Sequence, residues 1–116
     1  VFSFGVMGGD FQPQGHAQVL MNIIDYGMSP QQAGEQPRVA HFESSTPTGH
    51  KMTNSGSVGF EWNISGKVKK ELAEKGHKIR SDTGVFGGYQ GIWRESNPRR
   101  YYGASDSRKD GCAIGY

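Results

Sequence analysis

Between Gly5 and Asp10 the sequence reads GVMGGD. This is the segment best suited to chemistry, because a strand-like run stops there and a helical pattern follows. Consecutive glycines at such a junction carry no side chains, so backbone N–H groups can approach one point and hold an oxyanion or a phosphate. The same residues also make an ordinary tight turn, and their spacing matches neither the dinucleotide G-x-G-x-x-G pattern nor the Walker P-loop. Four histidines, His16, His41, His50 and His77, fall in separate elements with no H-x-x-x-H pair and no accompanying cysteine. That pattern points away from zinc and towards structural or surface roles. Asp106, Arg108, Lys109 and Asp110 form a run of opposite charges that more readily locks a turn by ion pairing and Asx hydrogen bonds than makes an acid–base pair. Arg38, after Pro37, could bind an anion but is expected to meet a carboxylate at a subunit interface.

The elements that position these residues follow from periodicity. VFSFGVM, residues 1–7, alternates as a buried strand, and QPQG makes a polar turn. From His16 to Tyr26, Val19, Leu20, Ile23 and Ile24 recur as one face of a 3.6-residue period, with Gly27 placed to end the helix. Ser29, Pro30 and Gln32 predict a capping box opening a short second helix that Pro37 ends. RVAHF (38–42) and SVGFEW (57–62) read as strands, with SSTPTG (44–49) a surface loop. Ser65 caps a third helix in which Val68 and Leu72 share a face and Gly76 sits at the C-terminus. Three strand-like runs complete the chain: VFGGYQGIWR, RRYYGAS and CAIGY, separated by Asn-Pro and Asp-rich turns. The expected order is β-α-α-β-β-α-β-β-β, an α/β (α+β) arrangement in which helices cover a mainly antiparallel sheet.

The chain has 116 residues, 34% of them hydrophobic and 18 of them glycine, which suits a single domain over residues 1–116 or a piece of a larger one. A formal net charge of +2 gives no push towards nucleic acid or a membrane surface. No apolar run approaches the roughly 18 residues of a membrane span. The single cysteine, Cys112, excludes an intrachain disulfide, and its neighbours Ala113 and Ile114 suggest a small buried side chain. Val1 opens straight into a strand, so localisation, cytoplasmic or periplasmic, is left open. A second functional class is a non-catalytic binding module with a basic-aromatic surface. Lys67, Lys69, Lys70, Lys75, Lys78 and Arg80 would supply it, with Arg94, Arg99 and Arg100 around Trp93, Tyr101 and Tyr102. Glu71, Glu74 and Glu95 dilute that surface.

The run GVMGGDFQPQGHAQVLMNIIDYGMSPQQAGEQPR resembles the matching stretch of gamma-glutamyltranspeptidases. There a Gly-Gly turn leads into a helix carrying Gln and Asn, then a D-[FY]-G-M turn, then an Ala helix closing on Pro-Arg. Two later blocks agree: L-x-x-x-G-H, here Leu72 to His77, and G-A-S-D-x-R-K-D-G, here Gly103 to Gly111, before Gly115 and Tyr116. GGYQGI, Gly87 to Ile92, is similar to the family's strand bearing a Gln before the last turn. Ser107 stands where Pro is usual. The D-x-Q-P-Q-G-H form after the glycine pair resembles the less studied transpeptidase-like branch.

The resemblance implies the C-terminal part of the small subunit of an N-terminal-nucleophile hydrolase, one flank of an αββα sandwich. In such enzymes a precursor cleaves itself to expose a Thr, which attacks the gamma-glutamyl carbonyl of glutathione-like donors with its own amine as base. Carried over, the backbone N–H groups of Gly8 and Gly9 match the oxyanion hole. The nucleophile and the groups that grip the substrate are expected upstream of Val1. Thr46, Thr48, Thr53 and Thr83 match none of the motif. His16 opens a helix in the family pattern, which suits a structural role. The implied partners are the large subunit, the N-terminal part of the small subunit and a gamma-glutamyl substrate. No cofactor, metal or nucleic acid is expected, and this chain alone is expected to be inactive.

Overall fold

A computed structural model describes residues 1–43, 49, 51, 53, 56–81, 86–97 and 99–115. In chain order the elements are β1 (Phe2–Met7), a 3-10 turn (Gly9–Phe11), α1 (Gln12–Ile24), α2 (Pro30–Glu35), β2 (Val39–Phe42), β3 (Ser57–Phe60), α3 (Gly66–Glu74), β4 (Gly88–Glu95) and β5 (Arg100–Ser105). They fall into two compact units, Val1–Gln36 with Gly87–Tyr116, and Pro37–Phe86.

The first unit is an antiparallel sheet in the order β1-β4-β5. Val6 lies opposite Tyr89, and Gly91 opposite Ala104. Side chains alternate across a strand, and the buried set Val6, Tyr89 and Ala104 marks the face that the helices cover. A Cβ at Gly15 would press on Val6 and Phe11, and one at Gly34 would overlap the Tyr89 ring, so glycine is what lets α1 and α2 lie this close to the strands.

The capping box of α2 forms as its sequence predicts. The Gln32 N–H donates to Ser29 Oγ at 3.3 Å, and the Ser29 N–H donates to Gln32 Oε1 at 3.0 Å. Gln31 then treats the edge of β5 as a strand would. Its amide donates to the Ser105 carbonyl at 2.8 Å and accepts from the Ser105 N–H at 3.0 Å, so the exposed edge groups of that strand are satisfied there.

In the second unit β2 and β3 pair antiparallel, His41 opposite Val58, and α3 lies between β3 and a short parallel bridge from Val58 to Ile79. The Ser65 cap accepts the Val68 N–H at 3.3 Å. At the other end Gly76 has φ 95. Its N–H donates to the Ala73 carbonyl, and the His77 N–H to the Leu72 carbonyl at 3.1 Å, the Schellman closure that a positive-φ glycine allows.

Five sequence expectations change. Helix α1 begins at Gln12 rather than His16, because Pro13 falls in the first turn, where its missing N–H costs nothing. Its buried side runs through Gly15 and Val19, leaving Leu20 and Ile24 exposed. The run CAIGY forms no strand over residues 111–115. After the turn at Asp106 the chain crosses the open face of the sheet, with Ala113 beside Gly103 and Gly111 beside Gln90. Cys112 is therefore exposed, not buried. Arg38 is itself buried, 2% exposed, and not displayed at a surface. Its Nη1 donates to the Phe86 carbonyl at 2.8 Å, and its backbone N–H to Glu61 Oε2 at 2.7 Å. Most of the SSTPTG loop, together with Pro98 of the Asn-Pro turn, lies outside the described residues.

Urea denaturation separates two of these contributions. Ser29→Ala is expected to cost about 1 kcal/mol through the lost cap. Gly34→Ala should cost more, about 2–3 kcal/mol, because the added methyl meets an immobile ring.

Candidate active site

Strand β1 ends at Met7, and the next two residues take backbone conformations that side chains rarely adopt: Gly8 at φ 148, ψ 27 and Gly9 at φ 57. The Phe11 N–H donates to the Gly8 carbonyl at 3.1 Å, which closes the 3-10 turn and aims the chain into α1. The N–H groups at the start of a helix have no intrahelical acceptor, and here they follow a bare glycine pair. The two glycines differ in surroundings. A Cβ on Gly8 would stand 3.2 Å from the Gly87 Cα, whereas one on Gly9 would meet nothing within 4 Å. Gly8 is thus wedged into the fold, and the space over Gly9 is open.

Three contacts hold this turn. Phe11 is buried at 7% exposure and anchors the turn from below. His16, one turn into α1, accepts the Val6 N–H on Nε2 at 2.9 Å, and its ring meets the edge of Phe4 at 5.5 Å. That is a structural role: it satisfies a donor on the unpaired side of β1, and it requires the imidazole proton to sit on Nδ1. Gly87, at φ 76, forms the floor. A Cβ there would collide with the Met7 carbonyl and with Val6. The sequence carried a signal for Gly87 in the Gly-Gly pair of GGYQGI, but nothing in spacing says that two distant glycines touch.

The charge run near the C-terminus fixes the start of β4, the strand that Gly87 leads into. Asp106 is 1% exposed. Its Oδ2 accepts the Tyr89 N–H at 3.0 Å. Its Oδ1 accepts the Arg108 N–H at 3.0 Å and Arg108 Nε at 2.6 Å. Arg108 continues to the end of α2, with Nη2 on the Gly34 carbonyl at 2.5 Å and Nη1 on the Gln36 carbonyl at 3.4 Å. The turn-locking reading of this run holds, and it reaches further than a turn, since one carboxylate and one guanidinium join β4, β5 and α2.

His41 and His77 belong to the second unit, and His50, Thr46, Thr48 and Thr83 lie outside the described residues. Among the described residues no three of His, Cys, Asp and Glu come together as a metal site. Several basic side chains of the second class of reading are engaged within the second unit. Lys67 and Lys70 pair with Glu71 and Glu74 at 3.9 and 3.8 Å, Arg80 lies 4.3 Å over the Phe42 ring, and Lys69 lies 5.6 Å over Phe60. An open cleft of about 350 Å³ lies between Ile23, Met28, Pro30, Trp93, Glu95 and Tyr102. It sits at the far end of β4 from Gly88, about 20 Å away at strand rise, so it is separate from the glycine turn. No helix among the described residues is long and apolar enough to cross a membrane.

An antiparallel sheet with helices on one face is the α/β arrangement of the N-terminal-nucleophile hydrolases, represented here by one sheet and its helix layer. The chain belongs to the gamma-glutamyltranspeptidase family, which it matches over residues 1–116. Among curated proteins it is 27% identical over 118 aligned residues to the glutathione hydrolase-like YwrD proenzyme of Bacillus subtilis, covering 97% of this chain and 21% of that protein. The cephalosporin acylase of Bacillus halodurans is 37% identical with a TM-score of 0.76, over 97% of this chain and 20% of its own. The gamma-glutamyltranspeptidase of Pseudomonas nitroreducens shares the fold, with a TM-score of 0.80 at 22% identity, over 99% of this chain and 55% of its own. The chain therefore spans about a fifth of the first two relatives, and about half of the third.

Removing Asp106 exposes the energetic weight of its network. Asp106→Ala is expected to cost about 3–5 kcal/mol, because a partly buried guanidinium and a strand N–H lose their acceptor. Lys70→Ala, which breaks only an exposed pair, should change stability by less than about 0.5 kcal/mol. Thermal and urea denaturation of the two variants side by side checks the contrast.

Proposed function

We propose that this chain is the C-terminal part of the catalytic subunit of an enzyme that hydrolyses or transfers gamma-glutamyl groups from glutathione-like donors. In this reading the N–H groups of Gly8 and Gly9 form its oxyanion hole. The observation that carries it is the glycine turn itself: two positive-φ residues at a strand end, a helix start behind them, and open space over Gly9. Membership of the family supports the chemistry, and the short span of the chain against its relatives supports a nucleophile supplied from elsewhere in a longer precursor.

The steps balance as acyl transfer. The hydroxyl of an N-terminal Thr outside this chain gives its proton to its own amine, and its oxygen bonds to the gamma-glutamyl carbonyl carbon. The carbonyl oxygen takes up negative charge and is met by the Gly8 and Gly9 N–H groups. One such donor is worth on the order of 3 kcal/mol in the transition state. Collapse breaks the amide C–N bond, and the leaving amine takes the proton from the Thr ammonium. Water or an acceptor amine then bonds to the ester carbonyl carbon and gives a proton to the Thr amine, and the acyl C–O bond breaks as that proton returns to the Thr oxygen, which gives hydrolysis or transfer. The identity to a cephalosporin acylase, higher than that to the glutathione hydrolase-like proenzyme, favours one second reading, the same acyl chemistry on a different amide.

Two measurements test this. In the full-length parent, Gly8→Ala must move the turn away from Gly87 and should lower kcat on a gamma-glutamyl anilide about a hundredfold. Gly9→Ala, with free space above it, should do less damage. Equal kcat for wild type and Gly8→Ala would remove the oxyanion assignment. The 116-residue chain alone should show no turnover, and measurable turnover by it would overturn the need for an upstream nucleophile. A parent that cleaves a cephalosporin side-chain amide but no gamma-glutamyl anilide would move the assignment to the second reading.

A further inference from the structure

We infer that the outer face of α1 is an interface covered by the remainder of the same precursor, a surface separate from the glycine turn. The sequence of α1, QPQGHAQVLMNII, contains no Lys, Arg, Asp or Glu, whereas α3, GKVKKELAE, has the charge expected of a helix in water. One side of α1 meets the sheet through Gly15 and Val19. On another side Pro13, Ala17, Leu20, Met21 and Ile24 follow one another at i, i+4, i+7, i+8 and i+11, a single helical stripe. All five are exposed: Leu20 is 39% accessible, Met21 51% and Ile24 73%, and Tyr26 just beyond the helix is 69%. A helix that is apolar on two sides and carries no charge belongs in an interior.

The occupant follows from length and composition. This chain covers only 21% of the proenzyme and 20% of the acylase it matches, so in such a protein most of the polypeptide remains to be packed against it. A membrane surface is disfavoured, because helices that lie in lipid headgroups carry Lys or Arg on their polar face, and α1 has neither. The inference rests on the reading of the chain as part of a longer precursor, but not on the oxyanion role of Gly8 and Gly9.

The test is thiol accessibility in the full-length parent carrying Cys112→Ser and Ile24→Cys, with maleimide modification at position 24 followed by peptide mass spectrometry. Modification should be at least about tenfold slower in the native protein than in urea, and the protection should persist on dilution. Equal rates in the native and unfolded protein would overturn the inference. Protection that disappears on dilution would overturn it too, by assigning the face to a second copy, as would protection seen only with lipid vesicles. Gamma-glutamyl turnover of the unsubstituted parent is measured alongside. A shielded thiol in an inactive parent removes the catalytic reading and leaves the interface standing, and a reactive thiol in an active parent does the reverse.

Discussion

The carboxylate of Asp106 sits out of water between the start of β4 and the end of α2, and the first unit is arranged around keeping it satisfied. Burial of an anion is costly unless donors replace the lost hydration. Here they come from the Tyr89 backbone and from Arg108, whose guanidinium goes on to the carbonyls of Gly34 and Gln36. The last turn of α2, the entry to β4 and the exit of β5 are thereby held in one network. Tyr89, fully buried, fills the space that Gly34 leaves open, so a polar clamp and a ring under a glycine lie back to back.

What this clamp positions is Gly87, and Gly87 positions Gly8. The chain at Gly87 lies against the end of β1: a Cβ on Gly87 would collide with the Met7 carbonyl, and one on Gly8 would stand 3.2 Å from the Gly87 Cα. Such an approach adds little packing and loses backbone entropy on folding. The rigidity of the turn is imposed from outside, by His16 on β1, by Phe11 beneath, and by the Asp106 network behind β4, which is what the proposed donor role of the Gly8 and Gly9 N–H groups would require. Preorganised donors are effective because they need no rearrangement when charge develops.

Helix α1 joins the glycine turn at its start and presents an apolar stripe along its outer side. Its direction is set by Gly15 against Val6 and by the His16 hydrogen bond, both on the sheet side. A surface pressed on the outer stripe would therefore bear on the same element that carries the turn.

The local devices were legible in the sequence because they are short-range. The capping box at Ser29, the Ser65 cap, the Gly76 closure and the alternation of β1 depend on residues a few positions apart, and the Asp106 to Asp110 run announced a locked turn. Family motifs marked Gly8 and Gly9 as worth attention. Tertiary structure alone decided which side of α1 faces the sheet, because Leu20 and Ile24 fit a helical stripe as well as Val19 does, and only the close approach at Gly15 selects between them. It also decided that Arg38 is internal, that Gly111 and Ala113 lie against the open face of the sheet instead of adding a strand, and that Gly87 supports Gly8 from nearly eighty residues away. Periodicity reports the faces of an element, but not which face meets a neighbour distant in the chain.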